Sequence, residues 1–252
     1  MRMSPARRAL VVLSVVLTCL LGALVPVQAA ARTGKIVGTI TAEDTGRPVK
    51  SCALVDRKTK NGWQQGTYVF TDKKGHYSLS GLAPGTYRLY FCGSWDKAKD
   101  PTRTLAAEYY KNQTFFDAAD VVVVRAGKTT RRSASLAPGG TISGHISGAT
   151  AAQARRMWVV AQQKNPVTGR WENIDDGTRV SSTGDYTIYG LAAGTTKISV
   201  SGGGAFLDGY YGDTQDVDQA TPVTVTKGGS TPVGDTTLVR AGEIRGVVTG
   251  PD

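Results

Sequence analysis

An all-β protein built from tandem sandwiches is predicted by three features of this sequence. Short runs alternate apolar and polar residues with the two-residue period of a strand. Those runs recur in the same order roughly 100 residues further along the chain. Thirty-one glycines punctuate them, and no long stretch carries the three-to-four spacing of an amphipathic helix.

The first element is set apart from the fold. Arg2, Arg7 and Arg8 precede a mostly apolar run from Ala9 to Leu21 and on to Val27. Small residues then offer cleavage after Ala29 or Ala31, and the polar Arg32-Thr33-Gly34 follows where an anchor would need a stop-transfer pattern. Residues 1–31 are therefore predicted to be a signal peptide, with Cys19 removed in it, leaving a secreted chain without a membrane span.

Within residues 32–137 seven strands are predicted: Lys35 to Thr41, Cys52 to Asp56, Thr67 to Thr71, His76 to Ser80, Thr86 to Phe91, Asp120 to Val124 and Thr130 to Leu136. In the fifth, Tyr87, Leu89 and Phe91 alternate with Arg88 and Tyr90, so one face is buried. Gly81-Leu82-Ala83-Pro84-Gly85 is read as a tight connection whose leucine plugs the edge between two sheets.

Residues 138–239 repeat this plan. Gly34-Lys35-Ile36-Val37-Gly38-Thr39-Ile40 matches Gly140-Thr141-Ile142-Ser143-Gly144-His145-Ile146, and Gly75-His76-Tyr77 through Leu89 matches Gly184-Asp185-Tyr186 through Ile198 without a gap. Tyr109-Tyr110 through Ala119 likewise matches Tyr210-Tyr211 through Ala220. The only helical candidate is a turn or two at Ala151 to Arg156. Residues 240–252 reopen the plan with Gly242-Glu243-Ile244-Arg245-Gly246-Val247-Val248, and are predicted to be the first strand of an incomplete third repeat.

The order Gly-x-Ile-x-Gly, Gly-x-Tyr-x-(Leu/Ile), Gly-Leu-Ala-(Pro/Ala)-Gly-Thr resembles the carboxypeptidase regulatory-like domains, relatives of transthyretin-like and collagen-adhesin B-type repeats. The resemblance covers residues 34–239 and runs into 240–252. It implies an immunoglobulin-like, seven-stranded Greek-key sandwich in each copy, of the kind found in secreted bacterial proteins and grouped with carbohydrate-binding-like, starch-binding-like folds.

Charge and chemistry narrow the function. Residues 32–137 hold 18 Lys and Arg against 9 Asp and Glu, and residues 138–239 hold 7 against 9. The basic surplus is thus confined to the first copy, and without a recognisable module of interleaved basic and aromatic residues it does not indicate nucleic-acid binding. It reads as a solvated basic face, for which an acidic envelope polymer is the partner class; an extracellular polysaccharide is the partner that the tryptophans below would suit.

No Gly-x-Ser-x-Gly elbow, His-Glu-x-x-His pair or phosphate-cradling loop is present. His76 aligns with Asp185 and His145 with Thr39, so neither histidine recurs. Asp175, Asp176 and the run Asp208, Asp213, Asp216, Asp218 are the residual acids, and the run lacks the glycine and closing glutamate of a calcium loop. No enzyme activity, cofactor or metal site is therefore expected.

Cys52 and Cys92 are an even pair in an exported chain and are expected to form a disulfide. Trp63 and Trp171 fall at matching places in the two copies and are the candidate carbohydrate-stacking pair, because sugars lay their C–H faces on flat aromatic rings. The chain so read is a secreted or cell-surface, non-catalytic structural and interaction module acting as a spacer or display scaffold. The alternative is a carbohydrate-binding accessory module of a polysaccharide-acting, amylase-like system.

Overall fold

The structure, a computed structural model, describes residues 32–93, 104–243, 246 and 247. The predicted signal segment and much of the incomplete third repeat lie outside them. Among the described residues no helix is long and apolar enough to cross a membrane.

The chain is nearly all β. Its first half runs β1 (Gly34–Ala42), β2 (Cys52–Thr59), β3 (Gly62–Phe70), β4 (His76–Leu82), β5 (Gly85–Phe91), β6 (Glu108–Tyr109), β7 (Val122–Val124), β8 (Thr129–Arg131) and β9 (Ala134–Leu136). The second half runs β10 (Gly140–Ser147), α1 (Ala151–Ala154), β11 (Trp158–Lys164), β12 (Trp171–Asn173), β13 (Thr178–Arg179), β14 (Asp185–Leu191), β15 (Gly194–Ser201), β16 (Gly209–Tyr210), β17 (Val223–Val225) and β18 (Ser230–Thr237).

In the first half β1 lies between β4 and β8, with β9 also on β1, and this sheet faces a second of order β3-β2-β5-β6 with β7 on β5. In the second half β14-β10-β18 faces β12-β11-β15-β16, with β13 on β11 and β17 on β15. The period-two pattern explains the burial. Tyr87, Leu89 and Phe91 of β5 enter one core with Ile36, Ile40, Val55 and Leu79, and Ile198 and Val200 of β15 enter another with Ile142, Ile188 and Val159. Leu82 and Leu191 join these cores from the glycine-bounded turns, where Gly81 and Gly190 take φ of 70° and 74° that a side chain would resist.

Glycine in the opening motif serves close approach. A Cβ on Gly38 would stand 2.7 Å from the Tyr77 ring and 1.6 Å from the Arg132 carbonyl, and one on Gly144 would stand 2.4 Å from the Tyr186 hydroxyl. The Gly-x-Ile-x-Gly and Gly-x-Tyr motifs are thus one contact, a tyrosine laid across a bare backbone. The predicted strand Thr130 to Leu136 is interrupted beside this contact in the first half, whereas its counterpart β18 is continuous. Arg132 N donates to the Val37 carbonyl while its own carbonyl accepts from the Tyr77 hydroxyl, and the strand is divided into β8 and β9. The helical turn forms where expected, capped reciprocally by Thr150 and Gln153.

The two cores meet through paired backbone. Leu105 bridges Pro138, Ala106 N donates to the Ala137 carbonyl at 2.9 Å and Gly139 N to the Thr104 carbonyl at 2.8 Å. Gly228 N reaches the Pro138 carbonyl at 3.1 Å from the other side. A Cβ on Gly139 would lie 2.5 Å from Gly190 Cα, so only glycine fits there. Lys227 and Glu43 add an exposed ion pair at 2.9 Å across the junction.

Glu108 is buried near this junction, and burial, with Glu43 adding to it against the pull of Lys227, pushes its carboxyl up to about 7. An acid whose proton is held more tightly in the folded state stabilises that state at low pH and loses the advantage as pH rises. Stability is therefore expected to fall between pH 4.5 and about 7. Glu108→Gln should flatten that part of the profile in urea melts taken across the range, and an unchanged slope would refute the assignment.

Cys52, at the start of β2, and Cys92, just past the end of the neighbouring β5, form a disulfide, with a sequence separation of 40 and Cα atoms 5.2 Å apart. By loop entropy the bridge is worth about 4 kcal/mol. Cys52→Ser with Cys92→Ser should lower the melting temperature measurably by calorimetry. Equal melting of variant and oxidised wild type would contradict this.

Candidate functional site

Trp63 and Trp171 occupy the same place on their hairpins, since Trp63 pairs with Lys58 on β2 and Trp171 with Lys164 on β11. Each half-buried ring rests against a cation. The Arg88 guanidinium lies 4.6 Å from the Trp63 centroid, and Lys197 Nζ lies 4.7 Å from that of Trp171. These cations are themselves equivalents: Arg88 faces Asp56 across β2 and β5, and Lys197 faces Gln162 across β11 and β15.

A buried ammonium needs partners. Lys197, buried, donates to the Val217 carbonyl and to that of Asp218 at 3.1 Å. Arg88 donates to the Asp117 carbonyl at 3.2 Å and to its carboxylate at 3.3 Å. The turn that supplies these oxygens is built alike in both halves. Tyr109 N reaches the Gln113 carbonyl and Tyr210 N the Thr214 carbonyl, with Asn112 and Asp213 at φ of 57° and 56°.

One residue of that turn separates the two sites. In the first half Phe116 packs edge-on against Trp63 at 5.4 Å and against Tyr109 at 5.7 Å, joining the two rings and filling the space between them. Its counterpart is Val217. There Trp171, Tyr210, Gln162, Arg170, Val217 and Asp218 line a cleft of about 340 Å³, inside the usual range of small-molecule sites.

The cleft wall is rigid before any ligand arrives. Glu172 accepts from Thr168 Oγ1 at 2.6 Å and from Asn165 Nδ2 at 2.9 Å, bonds that hold its carboxyl below the usual range. Asn165 N reaches the Arg170 carbonyl and closes the loop, so Trp171 is presented by an ordered hairpin tip. Gln162 Nε2 is spent on Asn173 Oδ1 at 2.9 Å, while Gln162 Oε1 has no partner.

A second concavity, of about 240 Å³, lies between the halves and is lined by Tyr90 and Tyr109 on one side and Asn173, Asp176 and Tyr189 on the other. A third, of about 160 Å³, adjoins it at Asp175, Asp176 and Tyr189. Both are smaller than the Trp171 cleft.

The remaining acids build turns. Asp175 accepts from Ala161 N and Gly177 N, Asp208 from Gly202 N, Asp213 from Thr237 N and Asp216 from Asp218 N. His76 pairs with Asp72 at 3.3 Å, and His145 with Asp185 at 2.9 Å. Asp185 also accepts from Thr183 Oγ1 at 2.6 Å, so it stands between imidazole and hydroxyl. A nucleophilic triad needs the imidazole in the middle. Among the described residues no group of three or more His, Cys, Asp or Glu could hold a metal ion.

The sequence singled out Trp63 and Trp171 and offered Tyr210 only as part of the repeat; it did not single out Arg88 and Lys197 as supports of the rings or Phe116 and Val217 as the difference between the two places. The gapless repeat alignment carried that signal, since it sets Arg88 over Lys197 and Phe116 over Val217. Lys197→Ala should leave two turn carbonyls without their donor, a loss of about 1–3 kcal/mol. Urea denaturation measures it, together with a red shift of tryptophan emission, and wild-type stability would show that the clamp does not hold the ring.

No family model and no curated protein matches the chain. Among solved structures it is similar to the minor pilin GBS52 of Streptococcus agalactiae, at 14% identity over 86% of this chain and 100% of that one, with a TM-score of 0.37. The Bacillus anthracis TIE protein aligns at 12% identity over 82% of this chain and 34% of its own length, TM-score 0.28. A candidate carbohydrate binding protein of Bacteroides uniformis aligns at 11% over 82% and 98%, TM-score 0.28. At such scores the superpositions are loose, and the likeness fixes neither family nor activity.

Proposed function

We propose that the chain is a secreted or cell-surface, non-catalytic structural and interaction module. In this reading residues 32–137 and 138–239 are two tandem immunoglobulin-like, seven-stranded Greek-key sandwiches, and together they hold a surface at a set distance and orientation. The observation that carries it is the junction. Backbone pairing of Thr104 to Ala106 with Ala137 to Gly139 leaves no free linker there, which suits a spacer and not a hinge. A disulfide fits an oxidising, extracellular compartment.

The test has two arms on the mature chain. Limited proteolysis under native conditions should spare residues 134–140, and incubation with starch, chitin or cell-wall glycan should release no reducing sugar. Early cleavage between the halves would overturn the spacer reading, and sugar release would overturn the non-catalytic one.

A second reading, a carbohydrate-binding accessory module for an extracellular polysaccharide, is favoured by the cleft at Trp171. Its two rings, with Arg170 and Asp218 beside them, are the components that sugar recognition uses.

A further inference from the structure

We infer that carbohydrate binding, if the second reading holds, belongs to the second half alone, and that the side chain at the Phe116/Val217 position decides it. Trp171 and Tyr210 supply flat apolar area for the C–H face of a pyranose, and Arg170 and Asp218 supply donors and acceptors for its hydroxyls. Gln162 holds the wall in place, its amide nitrogen fixed on Asn173 and its oxygen buried.

The cation under the ring is not free to hold an anion. The Lys197 ammonium is already met by two carbonyls and a ring face, so the Trp171 face is left to apolar contact. The ligand class is a pyranose unit of a polysaccharide.

In the first half the same clamp exists, but Phe116 spans Trp63 and Tyr109 and occupies the position where a sugar would lie. Trp63 is a packed ring and Trp171 a binding one. A binding unit and a filled copy of it thus share one frame.

Affinity electrophoresis of the full mature chain through gels of soluble starch, glycol chitin or solubilised cell-wall glycan tests this with two opposite substitutions. Wild type should be retarded in at least one gel. Val217→Phe should weaken that retardation at least tenfold, with a phenylalanine that the equivalent position already accommodates. Phe116→Val should strengthen it by opening a second cleft, which two linked sites on a polymer amplify. Trp171→Ala should abolish binding, and Trp63→Ala in wild type should leave it unchanged.

Retardation that survives both Val217→Phe and Trp171→Ala would overturn the cleft while leaving carbohydrate binding in place. Absence of retardation in every gel would overturn both. Val217→Phe that fails to fold would be detected by circular dichroism, and Phe116→Val then decides alone: no gain over wild type would overturn the inference.

Discussion

The antiparallel register of β2 with β5, and of β11 with β15, governs which side chains this protein hides and which it presents. Because strand residues alternate faces, seating Leu89 and Phe91 in one core turns Arg88 and Tyr90 outward, and seating Ile198 and Val200 in the other turns Lys197 and Ser199 outward. A slip of one residue would turn the cations into the cores and the core residues out of them. Both tryptophan clamps are therefore consequences of core packing, and the outer face is free to differ only where packing does not constrain it.

That freedom shows in four substituted positions between the halves. Where the first has the Cys52 and Cys92 bridge, the second sets Trp158 opposite Ser201, and Trp158 Nε1 donates to the Asp176 carbonyl at 3.0 Å. A covalent tie is replaced by an aromatic strut on the same corner. Arg88 becomes Lys197, and the planar fork that also reached the Asp117 carboxylate gives way to a point charge that uses carbonyls alone. Phe116 becomes Val217, and a filled contact becomes a cleft. Each change preserves the frame and alters its surface.

Much of the frame was legible in the sequence, since period-two runs and repeated glycine motifs report directly on strand faces and close backbone approaches. Leu82 and Leu191 entered the cores as their turns predicted. Other features were not legible because they arise between distant segments. Thr130 to Leu136 reads as one strand and is divided into β8 and β9 at Arg132, whose carbonyl accepts from the Tyr77 hydroxyl, while the equivalent β18 runs unbroken beside Tyr186. Lys197 reads as a solvent-facing strand residue and is buried, because the turn at Val217 and Asp218 folds over it. Trp63 and Trp171 look interchangeable by spacing. Their difference lies on another loop, more than forty residues away along the chain.

The junction gives these local differences a common direction. A flexible linker would let each half present its outer face independently, and a site on one would be unrelated to charge on the other. Here Gly139 is pressed on Gly190, and the segment around Pro138 is paired on both sides. The basic first half and the cleft-bearing second half therefore keep one relative orientation. In the proposed carbohydrate reading, the first half's basic surplus would supply long-range attraction to an acidic polymer while the cleft of the second supplied short-range fit. Rigid coupling retains the orientational entropy that a hinge would lose on each encounter. Two modest surfaces can then act as one, which is the physical advantage of a joint that does not bend.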